Sequence, residues 1–127
     1  IIEWGFSKPN FKILISEFTH RNLKGTYQVR HIDEVIVKGK TEPVGVFEVL
    51  DFHTSETFPN LMEVVGHFKE GRLHFTTGDW DKAIDSFEKS LAANENDQLS
   101  SIYINRCQKL KAEAPKDWDG VWKFDSK

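Results

Sequence analysis

The sequence has very little cysteine and methionine, and it has no long apolar run. Of its 127 residues one is Cys and one is Met. The single Cys107 excludes an intrachain disulfide and any zinc site built from several cysteines.

No segment approaches the ~20 apolar residues of a membrane-spanning helix, and the first residues lack the features of a secretory signal. We therefore expect a cytoplasmic chain, whose parent could still be anchored in a membrane through an upstream segment. Because the only methionine is Met62, we expect the chain to begin inside a longer protein or to have been processed.

The chain also lacks a concentration of positive charge. Residues 1–50 carry seven Lys/Arg and six Asp/Glu, whereas residues 51–127 carry ten and fourteen. A nucleic-acid binder usually presents a basic face, because neutralising phosphates supplies much of its affinity. Neither half offers such a face, so we predict no nucleic-acid partner.

The hydrophobic pattern up to residue 50 has the short period of strands. Residues 11–15 predict a short buried strand. Residues 16–23 predict a short helix with Ser16 as its N-cap and Lys24-Gly25 as its stop. Apolar residues alternate in three further segments, which we predict to be strands: residues 27–31, 35–37 and 44–50. The polar residues 38–43 predict the loop between two antiparallel strands.

From residue 59 onward the hydrophobic period becomes helical, and it predicts three helices. Asn60 and Glu63 have the spacing of a capping box, and Asp79 is placed to cap the second helix. The aromatic tail predicts that Trp118 or Trp122 folds back onto a groove. The predicted apolar faces are Leu61, Val64, Val65, Phe68 and Phe75; Trp80, Ala83, Ile84, Phe87 and Leu91; and Leu99, Ile102, Tyr103 and Leu110, with Cys107 beside the last.

Residues 68–87 read Phe-x-x-Gly-x-x-x-Phe-x-x-Gly-Asp-Trp-x-x-Ala-x-x-x-Phe, which resembles one tetratricopeptide repeat. Gly71 and Ala83 are small where the two helices of such a repeat would cross closely. His67 departs from the family pattern, which often has Trp there. A helical hairpin without repeat ancestry is the alternative. Since a stable array needs about three repeats, we expect this one to brace or dock rather than to form a peptide receptor.

Residues 13–19 read Ile-Leu-Ile-Ser-Glu-Phe-Thr, and residues 35–50 read Val-Ile-Val-Lys-Gly-Lys-Thr-Glu-Pro-Val-Gly-Val-Phe-Glu-Val-Leu. In order and spacing, this strand, helix and hairpin resemble the C-terminal stretch of the catalytic domain of class III adenylate/guanylate cyclases. The likeness covers residues 8–50. The repeat and the Asp-Trp-Asp-Gly-Val-Trp tail resemble the segment C-terminal to that domain in some bacterial cyclases.

The resemblance implies a parent enzyme that converts ATP or GTP to a cyclic monophosphate and pyrophosphate, a lyase of signal transduction. In this family two aspartates hold two divalent metals, Mg²⁺ or Mn²⁺, and the active site forms at a homodimer interface. Those aspartates and the assisting Asn and Arg precede the stretch present in this chain. We therefore expect no catalytic residue, no bound metal and no activity in this chain alone. Asp33 and Glu34 do not replace the metal ligands, because we predict that they form a solvated turn.

Lys38 is the one candidate contact to substrate. The resemblance matches it to a lysine that binds the triphosphate, and an ammonium beside Gly39 at a hairpin end can reach a phosphate. The alternative is that Lys38 and Lys40 are solvated lysines of the hairpin. No metal site is expected elsewhere, because His67 and His74 lie ~10 Å apart along a helix and zinc needs three or four ligands.

The sequence thus predicts an α+β fold, with a small antiparallel strand and hairpin element and a short helix, then a helical hairpin of tetratricopeptide type and a capping helix. Residues 1–52 would be the end of a nucleotidyl cyclase catalytic domain. Residues 53–127 would be a helical tail that braces the catalytic domain or dimer, or docks a regulatory protein. The alternative function is a free-standing tetratricopeptide-like interaction module without catalytic activity.

Overall fold

The computed structural model describes residues 13–22, 28–36 and 41–123. These divide into two compact units. One contains the described residues up to Phe52 together with residues 121–123, and the other is His53–Gly120. The α+β class is confirmed, since the described residues form three strands and four helices. The assignment of residues 1–52 to a cyclase domain and of residues 53–127 to a tail stays a prediction.

The first unit is a three-stranded antiparallel sheet with one short helix. Its elements are β1 (Ile13–Ser16), α1 (Glu17–Asn22), β2 (Val29–Val35) and β3 (Val44–Val49). The strand order is β1-β3-β2, so β3 is central and pairs with both neighbours. The antiparallel hairpin that the sequence predicts before residue 50 is confirmed as β2 and β3.

Strand β2 continues through the segment for which the sequence predicts a solvated turn. Asp33 and Glu34 lie within it, and Asp33 is only 1% exposed. The pairing with β3 shifts between His31 and Asp33, which is a β-bulge. A bulge adds one residue to a strand and interrupts the alternation of its side chains. The prediction of two strands and a turn was wrong for this reason.

Helix α1 begins as its sequence predicts. The Ser16 hydroxyl accepts a hydrogen bond from the backbone N–H of Thr19 at 3.2 Å, which confirms Ser16 as the N-cap. The predicted stop at Lys24-Gly25 lies outside the described residues. None of the residues of β1 or α1 is fully buried, so the prediction of a buried first strand was wrong.

The second unit consists of three helices: α2 (Leu61–Thr77), α3 (Trp80–Ala93) and α4 (Gln98–Glu113). Helix α3 packs against both α2 and α4. Gly78, with φ at +83°, ends α2 in a left-handed conformation that suits glycine. The Asp79 carboxylate then accepts from the Lys82 N–H at 3.3 Å, so the predicted cap of α3 is confirmed.

The predicted capping box at the start of α2 is absent. Asn60 adopts a left-handed conformation, and its side chain makes no cap hydrogen bond to α2. Its amide Nδ2 instead donates to the carbonyl oxygen of Ala93 at 2.7 Å. Asn60 therefore satisfies the last turn of α3 rather than the first turn of its own helix, and it ties the two ends of the hairpin together.

The core of the helical unit is built around the close approach of α2 and α3 at Gly71 and around the buried ring of Tyr103. A Cβ atom added at Gly71 would lie 2.7 Å from the Phe87 ring, so the prediction of a tight crossing at Gly71 is confirmed. Tyr103 of α4 is fully buried. Its ring stacks on Phe87 at 5.0 Å between centroids, and it meets Phe68 and Phe75 edge-on at 5.4 and 4.9 Å. Tyr103 therefore joins α4 to the other two helices.

The apolar faces are rotated slightly from those predicted. In α3 the buried positions include Ser86 and Ser90 in place of the predicted Ile84 and Leu91. In α4 Cys107 is buried within the face, whereas Ile102 is half-exposed. Small polar residues are buried here because their hydroxyls find partners: Ser90 donates to the carbonyl oxygen of Val64 at 3.3 Å.

The tail returns to the helices, as predicted for Trp118. Its indole Nε1 donates to the carbonyl oxygen of Phe75 at 2.8 Å. Its ring meets those of Phe75 and Trp80 edge-on, with centroids 5.3 and 5.2 Å away. The carbonyl that Trp118 binds belongs to the last turn of α2, and it also accepts a hydrogen bond from the Gly78 N–H at 3.2 Å. Across the described ranges, no helix combines the length and apolarity required for a transmembrane span.

Substituting Gly71→Ala tests the close approach. Overpacking costs about 1–3 kcal/mol, and the better helix propensity of Ala returns at most about 1 kcal/mol. We expect the free energy of unfolding to fall by about 1–2 kcal/mol, measured by urea denaturation followed by helical circular dichroism. Gly66→Ala is the matched control, since a Cβ there meets nothing within 4 Å. Equal effects of the two substitutions would contradict the packing described.

Candidate functional site

The predicted phosphate contact, Lys38, lies outside the described residues. The structure does describe the base of its hairpin: Val35 ends β2, Val44 begins β3, and the two residues pair directly. Lys38 therefore belongs to the chain segment between these two paired residues. The sequence also predicts that this chain contains no catalytic residue and no metal ligand. Both statements stay predictions.

The base of the hairpin brings two carboxylates to Gly45. The Glu17 Oε1 atom, from α1, accepts from the Gly45 N–H at 3.0 Å. Glu34 pairs with Gly45 across the sheet. A Cβ at Gly45 would lie 3.4 Å from Glu34 Oε2 and from His31 Nε2, and 3.3 Å from Phe47. Glycine therefore gives these side chains room to converge.

Two histidines stack on the Phe47 ring in the same part of the sheet. The imidazole of His20 lies 4.8 Å from it and that of His31 lies 4.7 Å from it, both within 30° of parallel. His31 Nε2 is also 3.0 Å from the carbonyl oxygen of Asp33 and 3.7 Å from Glu34 Oε1. Helix α1 buries no residue, and Glu17 and His20 connect it to β3 through Gly45 and Phe47.

The described residues do not form a metal site. No group of three His, Cys, Asp or Glu side chains within them is arranged to hold an ion. His67 and His74 lie on α2, and His74 Nε2 is 3.9 Å from Glu70 in an exposed contact. The expectation of Mg²⁺ or Mn²⁺ concerns residues upstream of this chain in a parent protein and stays a prediction.

A buried ion pair crosses the sheet beneath these groups. Arg30 Nη2 lies 2.7 Å from Glu48 Oε1, and the two side chains are 2% and 0% exposed. They stand opposite each other in the β2–β3 register. Sequence reasoning missed the pair, since the partners are 18 positions apart and their contact depends on a strand register that includes the bulge.

Two arginines of the helical unit are buried around Tyr103. Arg72 Nη1 donates to the Tyr103 hydroxyl at 3.3 Å. The guanidinium carbons of Arg72 and Arg106 lie 5.8 and 4.8 Å from the centre of the Tyr103 ring, within range of a cation–π interaction. The hydrophobic pattern could not predict them, because it assigns charged residues to the solvent face.

Cys107 is not a candidate nucleophile. Burial raises the pKa of its thiol to about 12, and the nearby Arg106 only partly opposes this. A reactive cysteine needs the thiolate form at neutral pH. Cys107 is therefore a buried structural thiol.

A shallow cleft of about 350 Å³ lies where α2 meets α3. Its charged groups already contact one another: Lys111 Nζ donates to Asp81 Oδ1 at 2.6 Å, and Lys82 lies 3.8 Å from Asp79. Trp80 forms part of the wall. The cleft thus offers a polar rim and an aromatic surface, without a buried polar group directed into it.

The chain is 30% identical over 100 residues, or 76% of its length, to the terminal-differentiation-specific adenylate cyclase of Dictyostelium discoideum. It spans only 5% of that relative's length. A match of this extent is longer than residues 1–52 or residues 53–127, so it includes residues of both. No protein-family profile matches the chain, and no solved structure matches it. The similarity supports a relationship to adenylate cyclases.

Removing one member of the buried ion pair should destabilise the sheet. In Glu48→Gln the buried guanidinium of Arg30 loses the negative charge of Glu48, and we expect a loss of about 3 kcal/mol of unfolding free energy. Asp81→Asn is the matched control, because its pair with Lys111 is exposed and should contribute less than about 1 kcal/mol. Urea denaturation of both variants measures the difference. Similar losses of unfolding free energy in the two variants would contradict the conclusion that burial makes the Arg30–Glu48 pair more sensitive than the exposed pair.

Proposed function

We propose that this chain is the C-terminal part of a class III nucleotidyl cyclase. Residues 1–52 would complete the catalytic domain, and residues 53–127 would form a helical tail of tetratricopeptide type. The observation that carries the proposal is the similarity to an adenylate cyclase, because it extends through both parts of the chain. The strand, helix and hairpin occur in the order that the resemblance implies, which adds support.

In the parent, the reaction would convert a nucleoside triphosphate to a cyclic monophosphate and pyrophosphate. Divalent Mg²⁺ or Mn²⁺ would be held by aspartates upstream of this chain, and it would activate the 3′-hydroxyl and neutralise the triphosphate. This chain would contribute the hairpin of β2 and β3. Lys38 in its connection would supply a positive charge to the triphosphate, where charge increases in the transition state.

The helical unit would act by packing rather than by chemistry. The crossing of α2 and α3 at Gly71 and the cover that α4 places on the hairpin are the features expected of one repeat and its cap. One such hairpin is short of the roughly three repeats that form an independent array. We therefore assign it to bracing the catalytic domain or homodimer, or to docking a regulatory protein. Bacterial origin and a cytoplasmic location of the parent stay predictions.

The isolated chain should make no cyclic nucleotide. It would lack the metal-binding aspartates, so neither ATP nor GTP should react in the presence of Mg²⁺ or Mn²⁺. The measurement is cyclic nucleotide formation by mass spectrometry, with the parent protein under the same conditions as the control. Cyclic nucleotide formation by the isolated chain would overturn the prediction that it lacks the catalytic residues. An inactive parent with a folded chain would favour the alternative of an interaction module.

Within the parent, Lys38→Ala should lower kcat/KM by about a hundred- to a thousandfold, the range found when a single electrostatic contact to a transition state is removed. Lys40→Ala is the matched control, since it removes the same charge two positions away and should have little effect. Lys38→Arg should retain part of the activity, because it keeps the charge. Equal losses in the two alanine variants would show that both lysines act only as solvated charges.

A further inference from the structure

The solvent face of α2 carries an apolar stripe along its centre. Met62, Gly66 and Leu73 are four and seven residues apart, which places them on one side of a helix. Met62 is 67% exposed and Leu73 is 62% exposed, although both are large apolar residues. We call these three residues the outer stripe. It faces away from the buried residues Val64 and Phe68 of the same helix.

Gly66 has no function within the fold that explains its small size. A Cβ at this position would meet nothing within 4 Å. Gly in the interior of a helix is less favourable than Ala, because it has more backbone freedom to lose. At Gly71 that disadvantage is offset by contact with Phe87, but Gly66 has no such contact. A missing side chain in an exposed apolar stripe allows another helix to approach the backbone closely.

The two sides of the outer stripe carry opposite charges. At ~100° per residue, Lys69 lies about 60° to one side of Gly66, and Glu70 lies about 40° to the other side, with Glu63 beyond it. All three are exposed. Glu70 also lies 3.9 Å from His74, in an exposed contact that leaves it accessible to another cation.

This charge pattern distinguishes between two ways of pairing the helix with a copy of itself. In a parallel pair the two-fold axis runs along the helices, so the basic side of one faces the acidic side of the other. Lys69 then meets Glu70 of the second copy, and the same contact occurs twice. In an antiparallel pair each side faces its own equivalent, so lysine would face lysine and glutamate would face glutamate. Like charges that face each other across an interface oppose binding.

We propose that α2 pairs in parallel with α2 of a second copy of this chain, with the closest approach at Gly66 and Leu73 packed against its equivalent. One helix pair buries less than the ~1,200 Å² at the lower limit of stable interfaces. The dimer is therefore weak when this contact acts alone, and its population rises with protein concentration.

Sedimentation of the full chain over a range of concentrations tests the pairing. The wild type should shift from monomer to dimer, whereas Gly66→Leu should raise the dissociation constant by roughly tenfold or more. The space around Gly66 is open, so this substitution should leave the helical circular dichroism and thermal stability of the monomer intact. This difference separates loss of pairing from loss of folding.

Charge reversal tests the orientation. Lys69→Glu and Glu70→Lys should each weaken the dimer, because each gives residues 69 and 70, which face each other across the pair, the same sign of charge. The double variant Lys69→Glu/Glu70→Lys should recover most of the affinity. High salt should weaken the wild type and strengthen the single variants.

Cross-linking tests the register. Met62→Cys and Leu73→Cys should each join to its own equivalent through a short bis-maleimide linker, because equivalent residues lie at the same height in a parallel pair. An antiparallel pair can align only one of them, since they are ~16 Å apart along the helix. The native Cys107 is buried, so the wild type is the control. A wild type that remains monomeric at all concentrations, or a dimer unaffected by Gly66→Leu, would overturn the proposal. These outcomes do not depend on cyclase activity.

Discussion

The helical unit depends on the burial of one aromatic ring, that of Tyr103. Gly71 lets α2 and α3 approach until the Phe87 ring touches the backbone of α2. That approach places Phe68, Phe75 and Phe87 together, and the Tyr103 ring of α4 packs against all three. The position of α4 is therefore a consequence of a glycine on another helix. The Tyr103 ring also explains why the guanidinium groups of Arg72 and Arg106 can be buried, because an electron-rich ring attracts cations and an aliphatic side chain does not.

The sheet depends on a different kind of constraint. Its central strand carries the buried Glu48 directly opposite the buried Arg30 of β2, where two apolar residues would otherwise face each other. A buried pair contributes little net stability, but it penalises any register that separates the charges. The bulge between His31 and Asp33 shifts the residues beyond it by one position. Together they fix which side chains of β2 meet Gly45, and so the geometry at the base of the hairpin that leads to Lys38.

Features that depend on residues a few positions apart in the sequence could be predicted. Features that depend on strand register or on residues far apart in the sequence could not. Ser16 and Asp79 cap helices through atoms three residues away, and the spacing of Gly71 identified the helix crossing. Asn60 has the spacing of a cap but binds Ala93, 33 positions further along the chain. Asp33 looked solvated because a bulge is invisible in an alternating pattern. For the candidate site, the resemblance supplied Lys38, whereas residue chemistry alone left it equivalent to any hairpin lysine.

Helix α2 differs from its neighbours in having large apolar residues on both faces. Its inner face holds Val64, Phe68 and Phe75, and its outer face exposes Met62 and Leu73. A helix that ends a stack needs a polar outer face, which α4 has in residues such as Gln108 and Lys111. The helical stack therefore ends in a polar face at α4 and in a partly apolar face at α2. A parallel pair of α2 helices covers the partly apolar face and directs both helix N-termini the same way. The segments that precede the two helices therefore approach the pair from one side.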